Sequence, residues 1–136
     1  MAAEVSVNHE TELFEAFAVS AKRKRYVELL ATQRGRDKIR RSLDHFHDLD
    51  PLRCKQMVAS EQTVTGVLKI LRKFGAPSSC HLMSSSTLLD GRVMDLSDAL
   101  PEVIGGGMGT FVSCIPGRLA YFEGEDPGRR FICQRS

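Results

Sequence analysis

Apolar residues recur every three or four positions through the first half of the chain, and at alternate or consecutive positions through the second. Leu13, Phe14, Phe17, Ala18 and Ala21 mark one helix face. Asn8 stands where a cap belongs, and Glu10 and Glu12 fall in the first turn, where carboxylates suit the positive end of the macrodipole. Tyr26, Val27, Leu29 and Leu30 carry the pattern to Gly35, a residue type that ends helices readily. The spacing leaves open whether 8–35 is one helix or two, with Ser20 capping the second. Ile39, Leu43 and Phe46 give a third, narrow stripe. Asp50-Pro51 reads as a cap followed by proline at the first helical position, and predicts a short helix through Leu52, Met57 and Val58. Val64, Val67, Leu68, Ile70, Leu71 and Phe74 form the widest apolar face, between a Ser60 cap and the stop signals Gly75 and Pro77. This helix is expected to be the central packing element.

From Ser78 onward the signals are those of strands and turns. Cys80–Ser84 reads as a strand, with Asp90-Gly91 as a turn leading to a partner at Arg92–Met94. Asp95 or Ser97 caps a short helix through Leu100, Val103 and Ile104, in which Pro101 is tolerable near the first turn. Three β-type segments follow at Thr110–Ile115, Arg118–Glu123 and Arg129–Gln134. Pro116-Gly117 prefers a type II turn, which fits a two-residue hairpin poorly, so a bulge or wider loop is expected between the first two.

These elements predict an α+β fold, in which N-terminal helices (about four) pack on one face of a C-terminal antiparallel sheet with one short helix. Residues 1–136 read as a single domain, with a helical part over 8–75 and a strand-rich part over 78–134. The chain is 42% apolar and 26% charged, and at this length it buries roughly 68% of its unfolded surface, enough to fold without a metal or disulfide. No apolar run is long enough to cross a bilayer, and neither end carries a secretory or lipidation pattern. A cytoplasmic protein with no membrane partner is therefore expected. Cys54, Cys80, Cys114 and Cys133 include no Cys-x-x-Cys pair, so they read as thiols packed in a core rather than as zinc ligands. No cofactor and no metal are expected.

Charge changes the picture. The net charge is only +2, but nine of the 19 basic residues fall between Lys22 and Arg41, against Glu28 and Asp37 alone in that stretch. Lys22, Arg23, Lys24, Arg25, Arg34, Arg36, Lys38, Arg40 and Arg41 are the candidate anion- or partner-binding residues. Four successive basic residues project all around a helix, so not all of them can reach one ligand. A DNA-reading helix-turn-helix over Gly35 would bury Arg34, Arg36 and Arg41, which excludes it. Tyr26 is the one aromatic residue within the stretch suited to stacking on bases.

Three other motifs suggest chemistry. Gly105-Gly106-Gly107 resembles a phosphate cradle, but a helix precedes it and a strand follows, the reverse of the phosphate-loop order. His45 and His47 among Asp44, Asp48 and Asp50 are two positions apart, so on a helix they diverge and share no ion, whereas in an extended segment they would share a face. Cys80, His81 and Cys114 suggest an activated thiol; neighbours on a strand face opposite ways, so His81 serves Cys114 only if the strands align. The expected function is a binding module without catalytic equipment, using the basic helical surface toward an acidic protein or nucleic acid. The alternative is a small ligand-binding protein or enzyme, with a pocket between sheet and helices near Cys80, His81, Gly105, Gly106, Gly107 and Cys114.

Overall fold

The computed structural model describes residues 2–135, with side chains from residue 9 onward. Helix α1 spans Ala2–Phe17, so Asn8 lies inside it rather than capping it. The chain leaves the helix because residues 48–50 capture its end: Asp50 donates to Phe17 O (2.7 Å) and Val19 to Asp48 O (2.7 Å). The 8–35 stretch is consequently not one helix: α1 and α2 (Arg23–Leu30) are separated by a 3-10 turn over Ser20–Lys22, and a third helix begins at Gln33. Helix α3 runs Gln33–Ser42 and ends in a 3-10 turn at Leu43–His45.

Gly35 does not stop a helix; it sits in the first turn of α3, where its N–H donates to the capping Thr32 Oγ1 (3.0 Å). A Cβ at this position would lie 2.9 Å from Leu29 Cα and nearer still to the Leu29 carbonyl. Glycine is therefore required for α3 to pack against α2.

Asp50-Pro51 opens a turn rather than a helix. Asp50 accepts the Leu52 N–H through its carboxylate (2.9 Å), and the chain then enters strand β1, Cys54–Gln56. A 3-10 turn at Ala59–Glu61 contains Ser60, and the cap of α4 (Val64–Lys73) is Thr63, which accepts from Gly66 N–H (3.0 Å). The helix stops at Gly75, whose φ is +93°.

Strands β2 (Ser79–Ser84) and β3 (Val93–Asp95) form the expected hairpin, and Asp95 caps α5 (Leu96–Val103). Strands β4 (Thr110–Ile115), β5 (Leu119–Glu123) and β6 (Arg130–Gln134) complete the sheet. A register shift between Ser113 and Ile115 supplies the bulge that the Pro116-Gly117 turn calls for. All pairings are antiparallel, in the order β1-β6-β5-β4-β2-β3.

The fold is α+β, and its helices divide between the two faces of the sheet. Helices α1 to α3 cover Met83, Phe111, Ala120 and Phe122 with Leu13, Phe14, Phe17, Ile39 and Leu43. Helices α4 and α5 cover Leu82, Val112, Leu119 and Tyr121 with Val67, Leu71, Leu96 and Leu100. The strands allow this because β4 and β5 are buried along almost their whole length, so both pleat faces need a cover. The α4 stripe accordingly packs one layer, not the centre. Among the described residues no helix is long and apolar enough to cross a membrane.

Candidate functional site

The nine basic residues of the 22–41 stretch separate into two groups. Lys22 pairs with Asp48 (3.0 Å), Arg23 with Asp50 (2.8 Å) and Arg36 with both Glu10 and Asp90 (2.8 Å each). Arg40 lies 3.8 Å from Asp37 and from Asp90, and donates to Ser85 O (3.0 Å). These four guanidinium and ammonium groups fasten helices to loops. Tyr26 adds a hydroxyl bond to Asp48. Burial, opposed by the bonds from Tyr26 and Lys22, leaves the Asp48 carboxyl below the usual carboxylate range.

Lys24, Arg25, Arg34, Lys38 and Arg41 are exposed and make no ion pair among the described residues. Arg34, Lys38 and Arg41 stand at i, i+4 and i+7 on α3, which places them on one face. They flank a groove of about 530 Å³ whose remaining lining is Leu29, Thr32 and Gly35, with no carboxylate. Asp37 is on the same helix but receives Gln33 Nε2 (3.0 Å), which turns its carboxylate along the helix toward Gln33 and Arg40. Lys24 and Arg25 belong to α2 and are not part of this lining.

The buried end of the stretch is a polar network. Glu10, 5% exposed, accepts from Arg36 Nε and Nη2 (2.8 Å each) and from His81 Nε2 (2.9 Å). Arg36 spends its other donors on Asp90 (2.8 and 2.9 Å), which also accepts Ser84 N–H (3.0 Å). Desolvation works against the charged Glu10, but the bonds from His81 and Arg36 outweigh it and hold its carboxyl below the usual range. The Arg36 guanidinium, bonded to Glu10 and Asp90, is held even more firmly protonated than usual.

Since an ionised carboxylate only accepts, His81 carries its proton on Nε2, and its buried Nδ1 has no partner. The His81 ring stacks on His9 (centroids 5.4 Å apart), and His9 Nδ1 lies 2.7 Å from Ser113 Oγ. A cleft of about 320 Å³ opens over this network, bounded by Leu30, Ala31, Thr32, Gln33 and Gly91. Its charges are matched to one another. It therefore presents fixed dipoles to a visitor rather than a free ion.

The pocket expected near Cys80, His81, Gly105–Gly107 and Cys114 is not assembled. His81 faces the α1–α3 side, whereas Cys80 and Cys114 lie in the core under α4 and α5. Burial pushes the Cys80 thiol up to about 11, and the Cys114 thiol further, the opposite of an activated nucleophile. Gly105 donates to Glu123 Oε2 (3.0 Å), so the chain's own carboxylate occupies the amide of the glycine run. Asp44 accepts from Gly109 N–H (2.6 Å) and Ser85 Oγ (2.5 Å), and His45 meets Glu125 (3.0 Å) at the surface. Among the described residues no group of three His, Cys, Asp or Glu side chains could hold a metal ion.

Sequence reasoning missed Glu10, His9, Asp90 and Ser113 as members of a site, because nothing local distinguishes them. Arg36 and Arg40, four apart and flanking the apolar Ile39, were the available signal that part of the basic stretch turns inward. No family model, curated protein or solved structure matches this chain.

Proposed function

We propose that this protein is a binding module that docks an acidic segment of a partner protein on α3, along the groove flanked by Arg34, Lys38 and Arg41. The single observation that supports this reading is that, among the described residues, no carboxylate lines that groove, whereas the cations deeper in the same stretch are each matched to one. Three positive groups on one face with no ion pair among the described residues attract anions more strongly together than singly, and Leu29 adds an apolar element to the groove lining.

A protein segment suits the groove better than nucleic acid. Arg34 to Arg41 spans roughly 10 Å of helix, at about 1.5 Å per residue. Nucleic-acid-binding proteins with strong salt dependence neutralise about six to ten phosphates, more than this face offers. The groove lining contains no aromatic ring on which a base could stack.

The test is fluorescence anisotropy with a labelled oligoglutamate peptide, titrated with the intact protein at low salt and at 0.5 M salt. Binding that falls at least tenfold in the R34E/K38E/R41E variant, and is unchanged in R118E, is the expected result. Equal binding by the triple variant, or no binding by the parent protein, overturns the reading. A preference for a single-stranded oligonucleotide over the peptide transfers the surface to nucleic acid. With no Trp and two Tyr, co-purified nucleic acid would also be plain in the ultraviolet spectrum.

A further inference from the structure

Neighbouring residues across an antiparallel ladder alternate between pairs that exchange main-chain hydrogen bonds and pairs that exchange none. The second kind brings Cα atoms to about 4.5 Å and the side chains closest together. Between β1 and β6, Gln134 N–H donates to Arg53 O (2.9 Å) and Met57 N–H to Arg130 O (2.8 Å). That phase makes Arg53–Gln134 and Met57–Arg130 bonded positions, and it makes Cys54–Cys133, which are register partners, a non-bonded pair. Both thiols are free and buried in the same core cluster beneath α1, and Cys54 Sγ lies 3.8 Å from Phe17 O. A separation of about 4.5 Å falls within the roughly 4.4–6.8 Å that a disulfide accepts between Cα atoms.

We propose that Cys54 and Cys133 form a reversible cross-strand disulfide on exposure to a small-molecule disulfide such as oxidised glutathione, covalently fastening edge strand β1 to β6. The order of events follows from position. Strand β1 is three residues long, with one neighbour in the sheet and two of its residues exposed, so local opening there releases Cys54 first. Cys133, between β1 and β5, is wholly buried. Its desolvation and its bond to Cys54 hold its thiol well above the ordinary range, so it resolves rather than attacks.

The Cys54 thiolate attacks one glutathione sulfur. One S–S bond breaks, one forms, and the first glutathione leaves as a thiolate that takes up the Cys54 proton. Cys133 then gives up its proton and attacks the Cys54 sulfur, and the second glutathione leaves with that proton. Two protein thiols are oxidised by two electrons, and one glutathione disulfide is reduced to two thiols.

The chain carries an internal comparison. The β2–β4 register His81↔Ser113, continued by one step, sets Cys80 opposite Cys114, on the other face of the sheet from Cys54 and Cys133. Those two belong to interior strands, beside the Ser113/Ile115 bulge, and have no edge through which to open.

The experiment incubates the intact native chain with oxidised glutathione, quenches by alkylation in denaturant, and maps peptides by mass spectrometry. Two of the four thiols should become unavailable, the protein should lose two hydrogens in mass, and peptides containing Cys54 and Cys133 should be linked until a reductant is added. C133A should instead retain one glutathione on Cys54, and C80A, which spares the pair, should form the link as the parent does. Four thiols still alkylated after incubation, a Cys80–Cys114 link, or a persistent glutathione adduct on the parent protein would each overturn the proposal.

Discussion

The imidazole of His9 lies against that of His81, with ring centroids 5.4 Å apart and planes inclined by 25°. The pair belongs at the seam between α1 and the sheet, with Ser113 below His9 and Glu10 beyond His81. Burial, followed by the neighbouring His81, lowers the pKa of His9 from its ordinary 6.5, and Glu10 only partly offsets this. The folded protein therefore holds a neutral His9 at pH values where the unfolded chain already charges it. A depressed histidine contributes stability that is present above pH 6.5 and lost as the pH falls through the folded-state value. Glu10 and Asp48, both depressed carboxyls, add further losses below their ordinary values of 4.5 and 3.8. Urea denaturation should show stability declining from pH 7 toward pH 5 and more steeply below, and H9Q should flatten the first part of that decline. A parent protein equally stable at pH 7 and pH 5 would contradict this account.

The Gly109 backbone touches the turn after α3. A Cβ added there would collide with the Leu43 carbonyl and the Asp44 nitrogen, and Asp44 also accepts the Gly109 N–H (2.6 Å). The obstacle is backbone, which does not move aside as a side-chain tip does. G109A should cost about 3 kcal/mol or more. G106A, where the nearest atom is 3.2 Å away, should cost much less. Chemical denaturation of the two variants side by side checks the contrast.

The strands after residue 78 were legible because their composition and their punctuation agree: β-type runs bounded by Asp90-Gly91, Pro116-Gly117 and Gly124–Gly128. The α4 face was legible for the same kind of reason. Strand β1 was not, since Cys54–Gln56 acquires its conformation from β6, nearly eighty positions later, and Asp50-Pro51 serves a turn as readily as a helix start. Gly35 was misread because a glycine that ends a helix and one that permits close approach look alike in sequence. The basic stretch was visible as charge. Its division into a matched interior and an unmatched outer face depends on Glu10, Asp48, Asp50 and Asp90, which reach it only through the folded chain.

Thiol reactivity offers a check on the exclusion of an activated cysteine. Cys80 is pushed up to about 11 by burial and by Asp95, and burial raises Cys114 further. Alkylation of the native protein at pH 7 should be slow at both, and should accelerate toward the unfolded-chain rate only in denaturant. Rapid labelling of either at neutral pH would restore a nucleophilic role.

Arg36 binds two carboxylates from different parts of the chain, Glu10 from α1 and Asp90 from the β2–β3 loop, using four hydrogen bonds of 2.8–2.9 Å. Removing it leaves two carboxylates facing each other with His81 as the remaining partner of Glu10. R36M should lose about 3–5 kcal/mol at pH 7, the range for breaking a buried pair by deleting one member. The pH dependence should also change. Without the guanidinium, desolvation, the largest influence on Glu10, is opposed by His81 alone, so the folded carboxyl moves up from its depressed position. The variant then loses less stability than the parent as Glu10 becomes protonated. The deficit of R36M relative to the parent should therefore narrow as the pH falls from 7 to 4, and E10Q/R36M should recover part of the loss at pH 7. A deficit that stays constant over this range would mean that Arg36 acts through its packing rather than its charge.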